Sequence, residues 1–149
     1  MIVLDLDTLS FSEEVNGILE SIDDMAPLLK ALGNAAHGLW NEKFRRSGPG
    51  WEPLSEVTLK KRRKKGKDAE ILKDDGILFA SLTDSASEAA IFELDSTELR
   101  IGTNREFAEV HQFGSRDGRI PARPFMLEES EAVPEFERVI TKYYERLDR

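Results

Sequence analysis

At 149 residues the chain is long enough for one domain to bury a sizeable core, and 29 acidic against 21 basic side chains leave it with a formal charge of −8. It has no cysteine and only two histidines, His37 and His111, which excludes a disulfide scaffold and a thiolate metal site and leaves zinc without its usual donors. No basic leader runs into an apolar stretch, and nothing approaches the roughly 18 consecutive apolar residues of a membrane span, so a soluble protein in reducing surroundings is expected.

Ile2 to Asp7 alternates Leu4 and Leu6 with Asp5 and Asp7, the period of a half-buried strand at a sheet edge. Ser10 and Glu13 have capping-box spacing, and Phe11, Val15, Ile18, Leu19 and Ile22 share a face, which predicts a short amphipathic helix over 11–22. Asp23 and Asp24 interrupt it. The longest helix is predicted over about 25–46, with Asp24 as cap, Pro27 in the first turn, and Leu28, Leu29, Leu32, Ala36, Leu39, Trp40 and Phe44 in one stripe. Ser47 to Gly50 stop it. Gly33 and Gly38 each lower helix propensity by about 1 kcal/mol relative to Ala, so either another backbone approaches there or the glycines are merely tolerated.

Beyond Trp51, Ser55 opens a second helix start, but Lys60, Lys61, Arg62, Arg63, Lys64, Lys65 and Lys67 follow with nothing apolar between them. These seven leave 14 basic side chains against 29 acidic ones elsewhere, so the molecule reads as an acidic body with one basic arm. Mutual repulsion predicts a mobile loop over Lys60 to Glu70. A short helix over Asp74 to Leu82 should dock through Ile77, Leu78, Phe79 and Leu82.

Residues 89–95 and 97–102 form the best hairpin, with Ala90, Phe92 and Leu94 facing Leu99 and Ile101 across a turn at Asp95-Ser96. Thr103 and Glu106 again have capping-box spacing, Phe107, Ala108, Val110 and His111 make an apolar stripe, and Gly114 can close that helix. Ser115 to Arg119 is a polar loop. Pro121 and Pro124 then stiffen the segment IPARPF, which aims Arg123 and Phe125. A last helix from about Pro134 should bury Phe136, Val139 or Ile140, Tyr143 and Leu147. The fold class is α+β: a small antiparallel sheet, made of the N-terminal strand and a hairpin about 89–102, packed against a long helix about 25–46 and a C-terminal helix about 134–147, all in one domain.

No catalytic constellation emerges. His111 lacks a companion nucleophile or carboxylate, and there is no GxSxG, phosphate-cradling glycine loop or paired-histidine motif, so a structural histidine and a protein that is no enzyme and needs no cofactor are expected. A hydrolase with His111 as base ranks last. The PARP tetrapeptide could be a polyproline ligand, but Phe125 and Met126 belong in the protein's own interior, as do Trp40 and Trp51. The basic run could be solvated, could touch nucleic acid, or could lie on an acidic protein surface. Without interleaved aromatics, nucleic-acid binding would engage the backbone alone and depend steeply on salt.

Three stretches together resemble the phage virion morphogenesis family, the tail-completion or head–tail joining proteins of Mu-like and related tailed phages. They are HQFG with IPARPF at 111–125, GPGWEPLSEVTLKKR at 48–62, and ILKDDGILFASL at 71–82, within a resemblance covering roughly 25–128. The matching positions are Trp51, Pro53, Leu54, Thr58, Gly76, Leu78, His111, Gln112, Gly114, Pro121, Ala122, Arg123, Pro124 and Phe125. Asp75 departs from the threonine expected before the glycine, although either side chain can cap. The resemblance implies a structural protein of the virion, a ring of six copies on the tail axis, and other head–tail or tail proteins as partners, while the exposed edges of a sheet of only about three strands lead subunits to meet through a sheet edge or across the long helix. It also implies that IPARPF is a strap between sheet and terminal helix, with Arg123 held by an acidic group. A basic-arm nucleic-acid-binding protein is the alternative.

Overall fold

The computed structural model describes residues 1–67 and 69–149. Strand β1 (Ile2–Asp5) runs into a 3-10 turn, Leu6–Thr8, and then α1 (Glu13–Ser21) and α2 (Ala26–Arg45) follow. The predicted Ser10 cap is displaced by two residues. Ser12 accepts the Val15 N–H at 3.3 Å, while the Ser10 and Ser12 N–H groups go to Glu129 and Glu137 of the last helix. Asp24 does accept the Ala26 N–H at the start of α2.

Helix α2 is the centre of the fold because its stripe is buried from end to end: Leu28, Leu29, Leu32, Ala36 and Trp40 have no exposed surface. On one side it meets α4 (Ile77–Thr83), β2 (Ala90–Leu94) and β3 (Leu99–Thr103), and on the other α6 (Glu129–Leu147). The sheet is antiparallel with order β1-β3-β2, and Ile101 stands between Leu4 and Phe92 across the two neighbours. The α+β class is as expected. The terminal helix, however, packs on α2 and α1 rather than on the sheet.

That helix also starts earlier than Pro134. Glu128 and Glu131 form a reciprocal capping box, so the first turn is set five residues upstream and Pro134 lies inside the helix on an exposed face. Phe136 and Ile140 are buried, but Leu147 is exposed on the last turn.

The mobile-loop expectation for Lys60 to Glu70 is corrected as far as Lys64. Helix α3 (Glu56–Lys64) occupies that stretch, capped by Ser55, whose hydroxyl accepts the Thr58 N–H at 3.2 Å. Cations at a helix C-terminus oppose the negative end of its dipole, which offsets their mutual repulsion. The Lys67 N–H then returns to the Arg62 carbonyl. Asp68, within the same expectation, lies outside the described residues.

Candidate functional site

Two groups of sequence-predicted residues lie side by side, and the strap joins them. Its backbone has no secondary structure, yet side chains satisfy it in sequence. The carbonyls of Pro124, Phe125 and Met126 accept from Trp51 Nε1 (2.8 Å), Trp40 Nε1 (3.0 Å) and Lys43 Nζ (3.0 Å). The N–H groups of Phe125 and Met126 both donate to Gln112 Oε1, at 2.9 and 3.0 Å, and the Arg123 N–H donates to the His111 carbonyl at 2.8 Å. Phe125 itself is fully buried in the core. The strap is thus pinned to α2, to Trp51 and to α5 (Ala108–Phe113).

Arg123 is buried, and the expected acidic partner is replaced by backbone. Its Nε donates to the Glu52 carbonyl at 2.7 Å and an Nη to the Pro53 carbonyl at 3.0 Å, which ties the strap to the segment leading into α3. Trp51 packs edge-on to Phe44 and Phe44 edge-on to Phe79, so the Trp51 segment, α2 and α4 share one aromatic cluster. Leu54 and Thr58 are half-buried, and Thr58 Oγ1 lies 2.9 Å from the Ser55 hydroxyl. Gly76 takes φ +77 ahead of α4, and Asp75 caps there, accepting the Ile77 N–H at 3.0 Å. Leu78 is buried. Gly114 has φ +81, and a Cβ on it would stand 3.0 Å from the Ala122 nitrogen, so glycine is required where the chain folds back toward Pro121 and Ala122.

The capping box expected of Thr103 and Glu106 does not form. Thr103 is the buried last residue of β3, and its hydroxyl accepts from Ser81 Oγ and the Arg105 N–H, so α5 begins only at Ala108. Phe107, expected on the apolar stripe, takes φ +64 and is 65 % exposed.

Between α3, residues 105–107 and 119–121 lies a cleft of about 560 Å³. Lys61, Arg62, Lys65, Arg105, Arg119 and Arg123 line it, against Glu52, Asp74, Asp75 and Glu106. Arg62 is a structural anchor, buried, with its guanidinium on the Glu70 carbonyl and near Asp74. Arg105 pairs with Asp75 at 2.5 Å and Lys67 with Asp74 at 3.1 Å. The basic run therefore divides: Arg62 and Lys67 serve the fold, whereas Lys60, Lys61, Arg63, Lys64 and Lys65 are exposed and form no ion pair among the described residues.

His111 also lines the cleft. Its Nδ1 is buried without a hydrogen-bond partner among the described residues, and burial together with the nearby Arg123 and Arg105 lowers its pKa below the usual 6.5. Among the described residues no nucleophile or carboxylate is hydrogen-bonded to the ring, so the arrangement offers a neutral imidazole rather than an acid–base pair. Lys43 was not anticipated. Only 2 % exposed, it links the strap to Glu131 of α6, and its position on the apolar stripe three residues after Trp40 is the signal that marks it.

Comparison with known proteins bears on this geometry directly. The sequence profile of the phage virion morphogenesis family matches residues 6–145. The chain belongs to the phage virion morphogenesis family. It is 29 % identical over 126 residues, 78 % of each chain, to the Mu-like prophage FluMu G protein 2 of Haemophilus influenzae. It is also 36 % identical over 76 residues to an uncharacterized protein of Methanocaldococcus jannaschii, covering 51 % of this chain and 53 % of that one. No solved structure matches the chain. Membership assigns it to phage virion morphogenesis. Among the described residues no helix is long and apolar enough to cross a membrane.

Proposed function

We propose that this is a non-enzymatic structural protein of a tailed phage or prophage that completes the tail or joins it to the head, as one copy in a ring on the tail axis. The observation that carries this reading is the family match over residues 6–145, with a Mu-like prophage relative alongside it. The interior is consistent with a building block. Buried Trp40, Lys43 and Arg123 pin the strap, and His111 Nδ1 has no hydrogen-bond partner among the described residues. A protein that must hold a fixed shape between two assemblies benefits from a buried segment cross-linked to three separate parts of the fold.

The test is electron microscopy of particles produced without the protein. Separate heads and tails, with loss of infectivity, are expected, and joined infectious virions would remove the proposal. DNA contact through α3 is the competing reading. It predicts instead that joined particles form normally while retention of the purified protein on duplex DNA falls steeply with salt.

A further inference from the structure

We propose that the exposed face of α3 is one half of a contact between two copies of this chain, the other half being the acidic amino-terminal unit, residues 1–24, of the neighbouring copy. This rests on the ring reading and names the surfaces that meet. Five exposed cations, Lys60, Lys61, Arg63, Lys64 and Lys65, stand on α3 and its C-cap without an ion pair among the described residues. Among the described residues no other helix or strand packs broadly on α3, which leaves its outer face open there.

The matching charge is within the same chain. Residues 1–24 hold seven carboxylates and no basic side chain. Asp5 pairs with Arg100, but Asp7, Glu13, Glu14, Glu20, Asp23 and Asp24 are exposed and form no ion pair among the described residues. One contact between copies would compensate both surfaces. Within a copy they do not meet: α1 packs on α6, α6 packs on α2, and the α3 cleft opens toward residues 105–107 and 119–121.

Two different patches, one from each copy, allow a heterologous, head-to-tail interface, which makes a ring where its rotation closes. A protein surface is favoured over phosphate by what accompanies the cations. Val57, exposed on the first turn, lies three, four and seven residues before Lys60, Lys61 and Lys64 and so shares their face, and Phe107 stands exposed at the cleft. Apolar groups within a charged patch serve a protein contact and add nothing to a phosphate contact.

Sedimentation of the purified full chain over a range of concentrations, at low and high salt, tests this. One variant carries Lys60→Gln, Lys61→Gln, Arg63→Gln, Lys64→Gln and Lys65→Gln, with Arg62 kept because it anchors the fold. A second carries Asp7→Asn, Glu13→Gln, Glu14→Gln, Glu20→Gln and Asp23→Asn, with Asp24 kept because it caps α2. The wild type is expected to self-associate at low salt and dissociate as salt screens the charges. Each variant should associate at least about tenfold more weakly, and combining them should cost little more than either alone, since both remove the same contact.

Fully additive losses would overturn the proposal, as would a monomer under every condition. The latter leaves the tail-junction reading, judged on particle morphology, untouched. Unchanged association with lost retention on short duplex DNA would assign the face to phosphate and also overturn it. A photo-crosslinking residue at Val57 in the otherwise unaltered chain provides a readout free of folding effects. Crosslinks to residues 7–24 of a second copy are expected, and crosslinks confined to any other segment count against the contact.

Discussion

Lys43 Nζ reaches Glu131 Oε2 at 2.8 Å, and that same oxygen accepts the Glu128 N–H at 2.9 Å, so one carboxylate both closes the cap of α6 and neutralises a lysine buried in α2. The two partners are unequal, because Lys43 is 2 % exposed and the Glu131 side chain 28 %. Removing the carboxylate strands an ammonium in the interior, whereas removing the ammonium leaves a carboxylate that water can still reach. Glu131→Ala is therefore expected to cost about 3–5 kcal/mol, and Lys43→Met, which keeps the volume, clearly less. Urea titrations with an unchanged slope would show this as two separated midpoints. Equal losses would mean that the cap, not the buried charge, dominates.

Gln112 carries the strap in the same sense. Its one carbonyl oxygen satisfies two N–H groups, those of Phe125 and Met126, in a segment with no regular partner strand. Gln112→Ala leaves both donors unsatisfied, at about 1–3 kcal/mol for each group that water cannot reach. Gln112→Glu keeps an acceptor in place and should retain most of the stability. Amide hydrogen exchange at Phe125 and Met126 reads the effect locally: faster in the Ala variant, near wild type in the Glu variant. Equal protection in all three proteins would show that Gln112 does not hold the strap.

The parts of this fold that were legible in the sequence are those governed by local period. The α2 stripe and the hairpin around Asp95 depend on spacing alone, and both stand where expected. In the α3 stretch charge repulsion argues for a loop, but it is outweighed locally. The Ser55 cap, the helix dipole and one buried arginine suffice to hold nine residues in a helix. Thr103 and Phe107 failed for a different reason: the Thr103 hydroxyl is drawn to Ser81, twenty-two positions away, and a capping box cannot compete with a buried partner of that kind. The strap's role was visible in its prolines, but its bonds to α2, Trp51, Glu52 and Pro53 join residues 70 to 85 positions apart. Only the packed fold brings such donors and carbonyls together.

Acid should weaken the protein before its carboxylates titrate. Burial lowers the pKa of His37, against the opposing effect of Asp84. Burial, Arg123 and Arg105 lower that of His111. Folding therefore favours neutral rings, while an unfolded chain takes up protons near pH 6.5. The unfolded state binds more protons in that window, so stability rises with pH there and is lost as pH falls from about 7 toward each folded-state pKa. Thermal midpoints recorded between about pH 7 and 5 should decline, and the decline should flatten in a His37→Gln, His111→Gln variant. A slope unaffected by both substitutions would place the acid sensitivity elsewhere.

The two interior glycines of α2 provide a sharp comparison, since intrinsic propensity treats them alike. A Cβ on Gly33 would stand 2.6 Å from the ring of Phe92, a residue wedged against His37 with ring centroids 5.4 Å apart, whereas a Cβ on Gly38 meets nothing within 4 Å. The close approach at Gly33 is thus by an aromatic side chain from the sheet rather than by another backbone, and Gly38 is simply tolerated. Gly38→Ala should raise stability by about 0.5–1 kcal/mol through helix propensity alone. At Gly33 the same propensity gain opposes an overpacking cost of about 1–3 kcal/mol, so Gly33→Ala should be neutral at best and is expected to destabilise. Adding Phe92→Leu to Gly33→Ala removes the clashing ring edge. If the ring is the cause, the alanine that harms the wild type should do less harm, or none, in the Phe92→Leu background. An equal penalty in both backgrounds would mean that Gly33 is required for some reason other than the ring of Phe92.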